Sequence, residues 1–285
     1  MFKVCPVSAW FMFISMDKGA FSLSSGNAPY LFYLEHIFPN IPSFVILKIK
    51  SFEQIHYNKG DLMESKRIAG EKAVEFVKDG MKVGLGTGST AYWAIQAIGR
   101  RVKEEGLQVQ AVATSVQSEE LAKELGIPMM PFADVDMLDL TIDGADEVDP
   151  ELHLIKGGGG ALLREKIVAA ASKQLIIIVD ESKDVKQLGK FPLPVEIVPF
   201  AYELTVKKLK KLGCEPKLRM NGDQLYVTDN GNYIADCHFD AIANPVELHD
   251  TLNGIPGVVD NGLFIHMANL VIVGSADGSI RSISK

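Results

Sequence analysis

The chain has 285 residues, of which 47% are hydrophobic and 23% charged, a composition typical of a globular protein with one large or two modest domains. Its formal net charge of -7 leaves no broad basic face, so we expect a small-molecule partner and no nucleic acid. Three well-separated cysteines, Cys5, Cys214 and Cys237, fit neither a disulfide framework nor a zinc pattern, which indicates reduced thiols in the cytoplasm.

Residues 1–62 differ from the rest of the chain. The segment is aromatic-rich and aperiodic, and prolines interrupt it. Its best apolar run, Phe44–Ile49, is too short to cross a bilayer, so we expect no membrane span. An earlier apolar stretch faintly resembles a signal peptide, but Asp17 and Lys18 stand where a cleavage site belongs. We expect an extension of unknown or no structure, either a functional arm or a non-native segment ahead of an internal start at Met63.

From residue 63 onward, helical and extended patterns alternate. Apolar residues at helical spacing predict a helix over 64–78. Ser118 is the predicted N-cap of a later helix, which Glu119 and Glu120 suit by their charge. The other expected elements are strands at 81–85, 109–113, 138–142 and 175–179 and helices at 91–102 and 161–172. This alternation predicts an α/β fold, with a doubly wound, mostly parallel, Rossmann-like sheet built from residues 63–190 plus 267–285.

The order of the predicted strands and helices changes between residues 191 and 266. The expected elements there are a strand near Val195, a helix over 202–212, a hairpin at 229–231, a helix over 245–252 and a strand near Val258. This β-α-β-β-α-β order predicts a second, smaller ferredoxin-like α+β domain. The apolar run 270–274 is expected to return to the first sheet as a buried strand.

The segment GLGTGST, residues 84–90, lies between a predicted strand and a predicted helix. Glycine amides, the hydroxyls of Thr87, Ser89 and Thr90, and a helix N-terminus together favour phosphate binding. The segment does not fit a dinucleotide fingerprint, because Ser89 replaces the third glycine, and it lacks the GK[ST] ending of a Walker A loop. A tight turn without a ligand is the structural alternative.

The segment TIDGADEVD, residues 141–149, places acidic residues at the end of an apolar strand. Carboxylates just past the carboxyl end of a parallel strand face the crevice in which such sheets bind ligands. Asp143 and Asp146 are therefore candidate site residues, and a solvated acidic turn is the alternative.

Four consecutive glycines follow Lys156 in the segment IKGGGGALLREKI, residues 155–167. So much glycine costs backbone entropy, which is best explained by a main chain that approaches a ligand closely. Lys156 would supply a fixed positive charge beside that main chain.

The helix after these glycines carries Glu165 near its first turn. Charged residues on a helix are usually solvated, but the neighbouring glycines favour a functional position for Glu165. We expect the buried side of this helix to be formed by Leu163, Ile167 and Ala170.

A fourth segment, DESK at residues 180–183, directly follows the apolar strand 175–179. Lys183 therefore also belongs to the carboxyl end of a predicted strand. His153 and His266 lie outside the glycine-rich loops, and we assign them no role.

Together, GLGTGST, DGADEVD, KGGGGALLREK and DESK resemble, in order and spacing, the four signature segments of A-type ribose-5-phosphate isomerases. The similarity runs from about Ser65 to the C-terminus and includes FPLPVE and VTDNGN. It implies an aldose-ketose isomerase of the pentose phosphate pathway, which interconverts D-ribose 5-phosphate and D-ribulose 5-phosphate through an enediolate. It also implies a cytoplasmic homodimer that needs no metal and no other cofactor.

The resemblance further implies roles for particular residues. Glu165 would be the proton acceptor, with Asp143, Lys156 and Asp146 as the other catalytic groups. Gly160, where relatives also carry alanine, is the only departure from the family pattern. The substrate-binding residues that the resemblance implies are Lys66, Thr87, Gly88, Ser89, Thr90, Asp143, Gly144, Ala145, Asp146, Lys156, Gly157, Gly158, Gly159 and Lys183.

Two other classes share the general fold. A sugar-phosphate-sensing domain of a DeoR-type regulator needs a DNA-binding helix-turn-helix, but residues 1–60 show no pair of periodic helices. Glucosamine-6-phosphate deaminases and CoA transferases lack the KGGGGALLREK segment. Both alternatives are therefore less favoured than the isomerase.

Overall fold

The computed structural model describes residues 13–17, 20–24 and 61–284. The chain divides into two units, Met1–Lys59 and Gly60–Lys285. In the first unit, strand β1 (Phe13–Asp17) pairs antiparallel with β2 (Ala20–Ser24). The apolar run at 44–49 lies outside the described residues.

In the second unit, the predicted strands and helices occur in the predicted order, together with several short strands that were not predicted. Its strands are β3 (Lys82–Leu85), β4 (Gln110–Ala113), β5 (Leu140–Gly144), β6 (Glu147–Val148), β7 (Leu154–Ile155), β8 (Leu175–Asp180), β9 (Leu193–Ile197), β10 (Glu215–Leu218), β11 (Met220–Asn221), β12 (Gln224–Leu225), β13 (Tyr233–His238), β14 (Val258–Asn261), β15 (Leu263–Phe264), β16 (Leu270–Gly274) and β17 (Ile280–Ser284). Its helices are α1 (residues 61–74), α2 (Ala91–Glu104), α3 (Val116–Glu124), α4 (Leu162–Ala170), α5 (Tyr202–Lys210) and α6 (Pro245–Asn253).

Six strands form the central sheet, in the order β17-β16-β8-β5-β3-β4. Five of them run parallel, and β17 joins the edge antiparallel to β16. All six residues of β8 are buried, as expected for a central strand covered on both faces. The predicted α/β class with a mostly parallel sheet is confirmed, and the run 270–274 returns to this sheet as β16.

A second sheet has the order β10-β13-β9-β14, and all of its neighbouring strands are antiparallel. Helix α5 connects β9 to β10 and helix α6 connects β13 to β14, which is the predicted ferredoxin-like arrangement. Val195, Leu209 and Leu252 belong to its core, which also includes Ile155 from the neighbouring sheet β15-β7-β6. The domain boundaries at 190/191 and 266/267 stay a prediction.

Two local predictions were wrong. Ser115, in extended backbone, is the N-cap of α3, because its hydroxyl accepts the N–H of Ser118. Ser118 lies one turn inside the helix, where its own hydroxyl donates to the Gly86 carbonyl. A turn does occur at 229–231, but the hairpin in this region joins β11 to β12 across Gly222 and Asp223. Gly222 (φ +62°) is the first of the two central residues of this turn, where a positive φ favours glycine.

The carboxyl ends of β3, β5 and β8 lie next to one another in the sheet. They carry the GLGTGST loop, Asp143 and the DESK segment respectively. Within the described parts of the chain, no helix has the length and hydropathy needed to span a bilayer.

Candidate active site

The GLGTGST loop packs directly against β5, and glycine makes this contact possible. A Cβ atom on Gly86 would lie 2.2 Å from Oδ1 of Asp143, and one on Gly84 would lie 1.9 Å from Oγ1 of Thr141. Only glycine therefore permits this separation of β3 and β5 at the site. Gly88 (φ +101°) then turns the chain into α2.

The predicted phosphate loop presents its hydroxyls in two directions. The Thr87 N–H donates to Oδ1 of Asp143 (3.0 Å), and the Thr87 hydroxyl turns inward to those of Thr114 (2.7 Å) and Ser115 (2.8 Å). Ser89 is exposed, and Nζ of Lys66 donates to its hydroxyl (3.1 Å). Lys66 and the loop, 23 residues apart, are thus brought together. Thr114 and Ser115 were not among the predicted site residues, although they also follow a strand of the sheet.

Three buried charged groups meet beside this loop. Lys156 is 2% exposed, Asp143 1% and Glu165 4%. Nζ of Lys156 lies 2.9 Å from Oε1 of Glu165, 3.0 Å from Oδ2 of Asp143 and 2.5 Å from the Gly144 carbonyl oxygen. The three ammonium protons therefore each have an acceptor.

The two carboxylates of this cluster are held differently. Oδ1 of Asp143 accepts the N–H groups of Thr87 and Gly144, and Oδ2 faces Lys156. In Glu165, Oε1 faces Lys156, whereas Oε2 is buried and, among the described residues, has no hydrogen-bond partner. A buried carboxylate oxygen without a donor is costly in a folded protein and points to a functional role.

The electrostatics of the cluster follow from burial. Burial and the neighbouring Asp143 charge raise the pKa of Glu165 to about 8, against the opposing effect of Lys156. Burial acts against the charge of Lys156, but the carboxylates of Asp143 and Glu165 outweigh it and raise the pKa of this lysine. Lys156 therefore stays positive, while Glu165 titrates near neutral pH.

Helix α4 turns Glu165 toward the interior, which corrects one prediction. The buried residues of α4 are Leu162, Glu165, Val168 and Ala169. Ile167 is instead 56% exposed, Ala170 is exposed and Leu163 is only half-buried. The prediction took the apolar residues as the buried face, but Glu165 itself lies on the inward stripe, three residues after Leu162.

The glycines before α4 contact the second acidic residue. The Gly158 N–H donates to Oδ2 of Asp146 (2.7 Å), and a Cβ atom on Gly158 would lie 2.5 Å from Oδ1 of Asp146. Burial raises the pKa of Asp146, while the Gly158 N–H and the charges of Lys156 and Lys183 lower it in part. Lys183 is half-buried, and its ammonium lies 5.7 Å from the centre of the Phe191 ring.

Residues from β14 and from the turn before β13 contact α4 beside Glu165, and sequence reasoning gave them no role. Arg164 donates to Oδ2 (3.2 Å) and the carbonyl of Asp229 and to Oδ1 of Asn230, within the VTDNGN segment. Lys166 donates to Oδ1 of Asp260 (2.6 Å). Both neighbours of Glu165 in the chain are therefore tied to the second sheet.

Another such residue is Arg219, which donates to the carbonyls of Gly157 and Gly158. No local motif marks it, and it lies about sixty residues after these glycines in the chain.

His153 and His266 contact each other, and neither contacts the cluster of Lys156, Asp143 and Glu165 through a hydrogen bond described above. Nδ1 of His153 lies 3.1 Å from Oδ2 of Asp149, and Nε2 of His153 lies 3.3 Å from Nδ1 of His266. In the part of the chain that the structure describes, no group of three or more His, Cys, Asp or Glu side chains is arranged to hold a metal ion.

Comparison with known proteins identifies relatives of high similarity. The family model described as ribose 5-phosphate isomerase A (phosphoriboisomerase A) matches residues 110–278. Ribose-5-phosphate isomerase A of Bacillus thuringiensis subsp. konkukian (strain 97-27) is 60% identical over 217 residues, which cover 76% of this chain and 98% of that protein.

Solved structures give the same result. A D-ribose-5-phosphate isomerase in complex with phospho-erythronic acid is 40% identical, with a TM-score of 0.76 over 79% of this chain and 99% of that chain. Ribose 5-phosphate isomerase from Plasmodium falciparum is 39% identical, with a TM-score of 0.76 over 78% of this chain and 99% of that chain.

Proposed function

Because this chain belongs to the ribose-5-phosphate isomerase A family, which interconverts ribose 5-phosphate and ribulose 5-phosphate in the pentose phosphate pathway, we propose that Glu165 is the base that moves the proton. The observation that carries this proposal is the Glu165 carboxylate itself. Lys156 fixes one oxygen, and the other is buried and has no donor among the described residues. This second oxygen is the one available to a substrate C–H group.

The isomerisation requires a base that removes a proton from one carbon and returns it to the next. After the furanose ring opens, Glu165 takes the proton from C2, and the C–H electron pair forms the C1–C2 double bond of an enediolate while charge moves to the C1 oxygen. A proton then moves from the C2 hydroxyl to the C1 oxygen, and Glu165 returns the abstracted proton to C1 as the carbonyl forms at C2. A positioned general base contributes roughly 10² to 10⁴ in rate, and it works best when its pKa lies near the operating pH. The raised pKa of Glu165, about 8, meets that condition.

Lys156 acts in this proposal as a fixed charge. Its ammonium already donates to Asp143, Glu165 and the Gly144 carbonyl, so a substrate oxygen would have to replace one of these acceptors. The positive charge favours the enediolate without such a replacement. The amides of Gly157 and Gly159 are then the donors we assign to the substrate oxygens, because the Gly158 N–H already donates to Asp146.

We assign ring opening to Asp143 with the help of Asp146. Asp143 lies 3.0 Å from the Lys156 ammonium, and its Oδ1 accepts the N–H groups of Thr87 and Gly144. Burial raises the pKa of Asp146, which suits a group that accepts the proton of the anomeric hydroxyl and releases it again.

The phosphate group is assigned to the loop that precedes α2. The exposed Ser89 hydroxyl beside the Lys66 ammonium supports this assignment, as does the helix N-terminus that follows Thr90. Binding energy at this remote group would hold C1 and C2 against Glu165. Gly88, Ala145 and Lys183 would complete the substrate contacts.

The proposal is tested by a coupled assay with D-ribose 5-phosphate, in the presence of EDTA and without added nicotinamide. We expect wild-type turnover under these conditions, a large loss in Glu165→Gln, and an intermediate rate in Glu165→Asp, which keeps the base but withdraws it. Glu151→Gln, an exposed glutamate between β6 and β7, serves as the matched control. Full turnover in Glu165→Gln would refute the assignment of the base.

We also infer a cytoplasmic homodimer, as the family resemblance implies. Cys214 and Cys237 are buried free thiols, which supports a reducing compartment. Sedimentation equilibrium of the purified chain would test the dimer, and a monomer mass would contradict it.

A further inference from the structure

Arg219 makes a four-bond contact that joins the second sheet to the glycine loop. Nη1 donates to the carbonyl oxygens of Gly157 (2.9 Å) and Gly158 (3.1 Å). Nε and Nη2 donate to the two carboxylate oxygens of Asp236, at 3.0 and 2.5 Å. Asp236, in β13, therefore fixes the plane of the guanidinium, and the guanidinium in turn fixes two carbonyl groups.

The peptide unit between Gly157 and Gly158 is held at both ends. Its carbonyl accepts from Arg219, and its N–H donates to Oδ2 of Asp146 (2.7 Å). The two bonds run in opposite directions, as the C=O and N–H of a planar trans peptide must. The orientation of this peptide is thus set by one cation behind the loop and one carboxylate in front of it.

The same geometry fixes the next peptide unit. Since the Gly158 carbonyl also points at Arg219, the N–H of Gly159 must point away from Arg219. A Cβ atom on Gly159 would lie 3.5 Å from Cγ2 of Thr87, so this peptide borders the loop assigned to the phosphate group. The Gly159 N–H is therefore aimed at the space between that loop and the acidic residues.

Four successive glycines have little intrinsic preference for one such arrangement. Gly157 (φ +105°) and Gly160 (φ +81°) lie in the left-handed region, and the segment without side chains can flip its peptides easily. The Gly160 N–H donates to the Gly157 carbonyl (2.9 Å), which closes a turn but does not fix its central peptide. An anchor on the Gly158 carbonyl is therefore needed to keep the Gly159 N–H on the substrate side.

We propose that Arg219 is a positioning residue, which holds the Gly157–Gly158 and Gly158–Gly159 peptides so that the Gly158 N–H stays on Asp146 and the Gly159 N–H faces the substrate oxygens. This inference deepens the proposed function and rests on it. Arg219 touches no reacting atom, and it acts through the Gly159 amide, which stabilises the enediolate.

The experiment compares Arg219→Met and Arg219→Lys with Arg101→Met as a matched control. Arg101 also donates to two carbonyls, those of Val74 and Val77, and pairs with Glu105, but it lies about 15 Å along α2 from the phosphate loop. For each variant, kcat and KM for D-ribose 5-phosphate and the melting temperature are measured.

We expect Arg219→Met to lower kcat by about 10²-fold, the cost of misplacing donors by roughly 1 Å, with little change in KM. Lysine keeps the charge but cannot reproduce the planar, multiple donor geometry of the guanidinium. The kcat of Arg219→Lys should therefore lie between those of wild type and Arg219→Met. Arg101→Met should lower the melting temperature and leave kcat unchanged. Wild-type kcat in Arg219→Met, or an equal loss of kcat in Arg101→Met, would overturn the inference.

Asp236→Asn provides an independent test if Arg219→Met is insoluble. This variant leaves the arginine in place but removes the charge that orients it, so we expect a smaller fall in kcat in the same direction. Wild-type kcat in Asp236→Asn would then overturn the inference. Glu165→Gln is assayed in parallel: if it is inactive while Arg219→Met is fully active, the positioning role fails and the assignment of the base stands.

Discussion

Glu165 combines features that a surface glutamate does not have. It sits in the buried stripe of α4, one of its oxygens has no donor within residues 61–284, and its nearest charged neighbours act on its pKa in opposite directions. Burial and Asp143 favour the protonated form, and Lys156 favours the carboxylate. The balance leaves a carboxyl group that can both take and return a proton near neutral pH.

This balance predicts a pH dependence. Because Glu165 must be ionised to act as a base, kcat/KM should rise with pH through an apparent pKa well above the usual range of a glutamate, toward about 8. Asp143→Asn removes a negative neighbour and should lower the pKa of Glu165, whereas Lys156→Met removes a positive one and should raise it. The carboxyl carbon resonance of Glu165, followed by NMR during a pH titration of each variant, measures both shifts directly. Shifts in the same direction would contradict the account.

The chemical identity of the site residues could be predicted from sequence, but their surroundings could not. Glycine-rich loops and carboxylates at strand ends indicated Asp143, Lys156 and Glu165 as candidates. The inward face of α4 was misjudged because Leu163, Ile167 and Ala170 also recur at helical spacing, whereas the buried residues are Leu162, Glu165, Val168 and Ala169. Arg219 gave no signal at all, because its contacts form only when the second sheet packs against the glycine loop.

At the scale of elements, the site depends on how closely β3 approaches β5. The order and type of the longer elements could be predicted, since periodicity and glycine positions determine them locally, but the short strands β6, β7 and β15 and the edge strand β17 were not predicted. The N-cap at Ser115 and the hairpin between β11 and β12 were missed, because neighbouring residues of similar propensity compete for each turn. Helix α4 is held on both sides of Glu165, by Asp229 in the turn before β13 and by Asp260 in β14. No local sequence pattern predicts such contacts, because their residues are far apart in the chain.

The close approach of the strands predicts the effect of Gly86→Ala. The new Cβ atom would lie 2.2 Å from Oδ1 of Asp143 in the present backbone, so Asp143 must move and its bond from the Thr87 N–H must lengthen. We expect turnover to fall by about 10²-fold, the typical cost of a 1 Å displacement at a catalytic group. Gly254→Ala, at the end of α6, is the control, because its Cβ atom would meet nothing closer than 3.5 Å. Equal turnover in both variants would show that turnover does not depend on the close approach of β3 to β5.

At the scale of the whole molecule, every residue assigned to the site lies between Lys66 and Lys183, and Arg219 contacts it from the second sheet. The predicted domain boundary after residue 62 therefore leaves the site intact. Why residues 1–62 are present was not predictable from their composition, which has neither a periodic pattern nor a family motif.

Removal of residues 1–62 tests this boundary. We expect a chain that begins at Met63 to keep wild-type turnover, with a small loss of stability because α1 already includes residues 61 and 62, and the Ser65 hydroxyl donates to the Leu62 carbonyl. A chain that begins at Gly60 keeps these residues and serves as the control. Turnover and melting temperature are measured for both, and loss of activity in both would show that the segment is required.

The central claim, that Glu165 moves the C2 proton, is tested most directly by exchange of that proton with deuterated solvent. The exchange at C2 of D-ribose 5-phosphate is followed by NMR in wild type, Glu165→Asp and Glu165→Gln. We predict exchange about 10² to 10⁴ slower in Glu165→Gln than in wild type, or roughly 3 to 5 kcal/mol of barrier, with substrate binding retained and Glu165→Asp between them. Exchange at a near wild-type rate in Glu165→Gln would contradict the account and would make Asp146 the next candidate for the base.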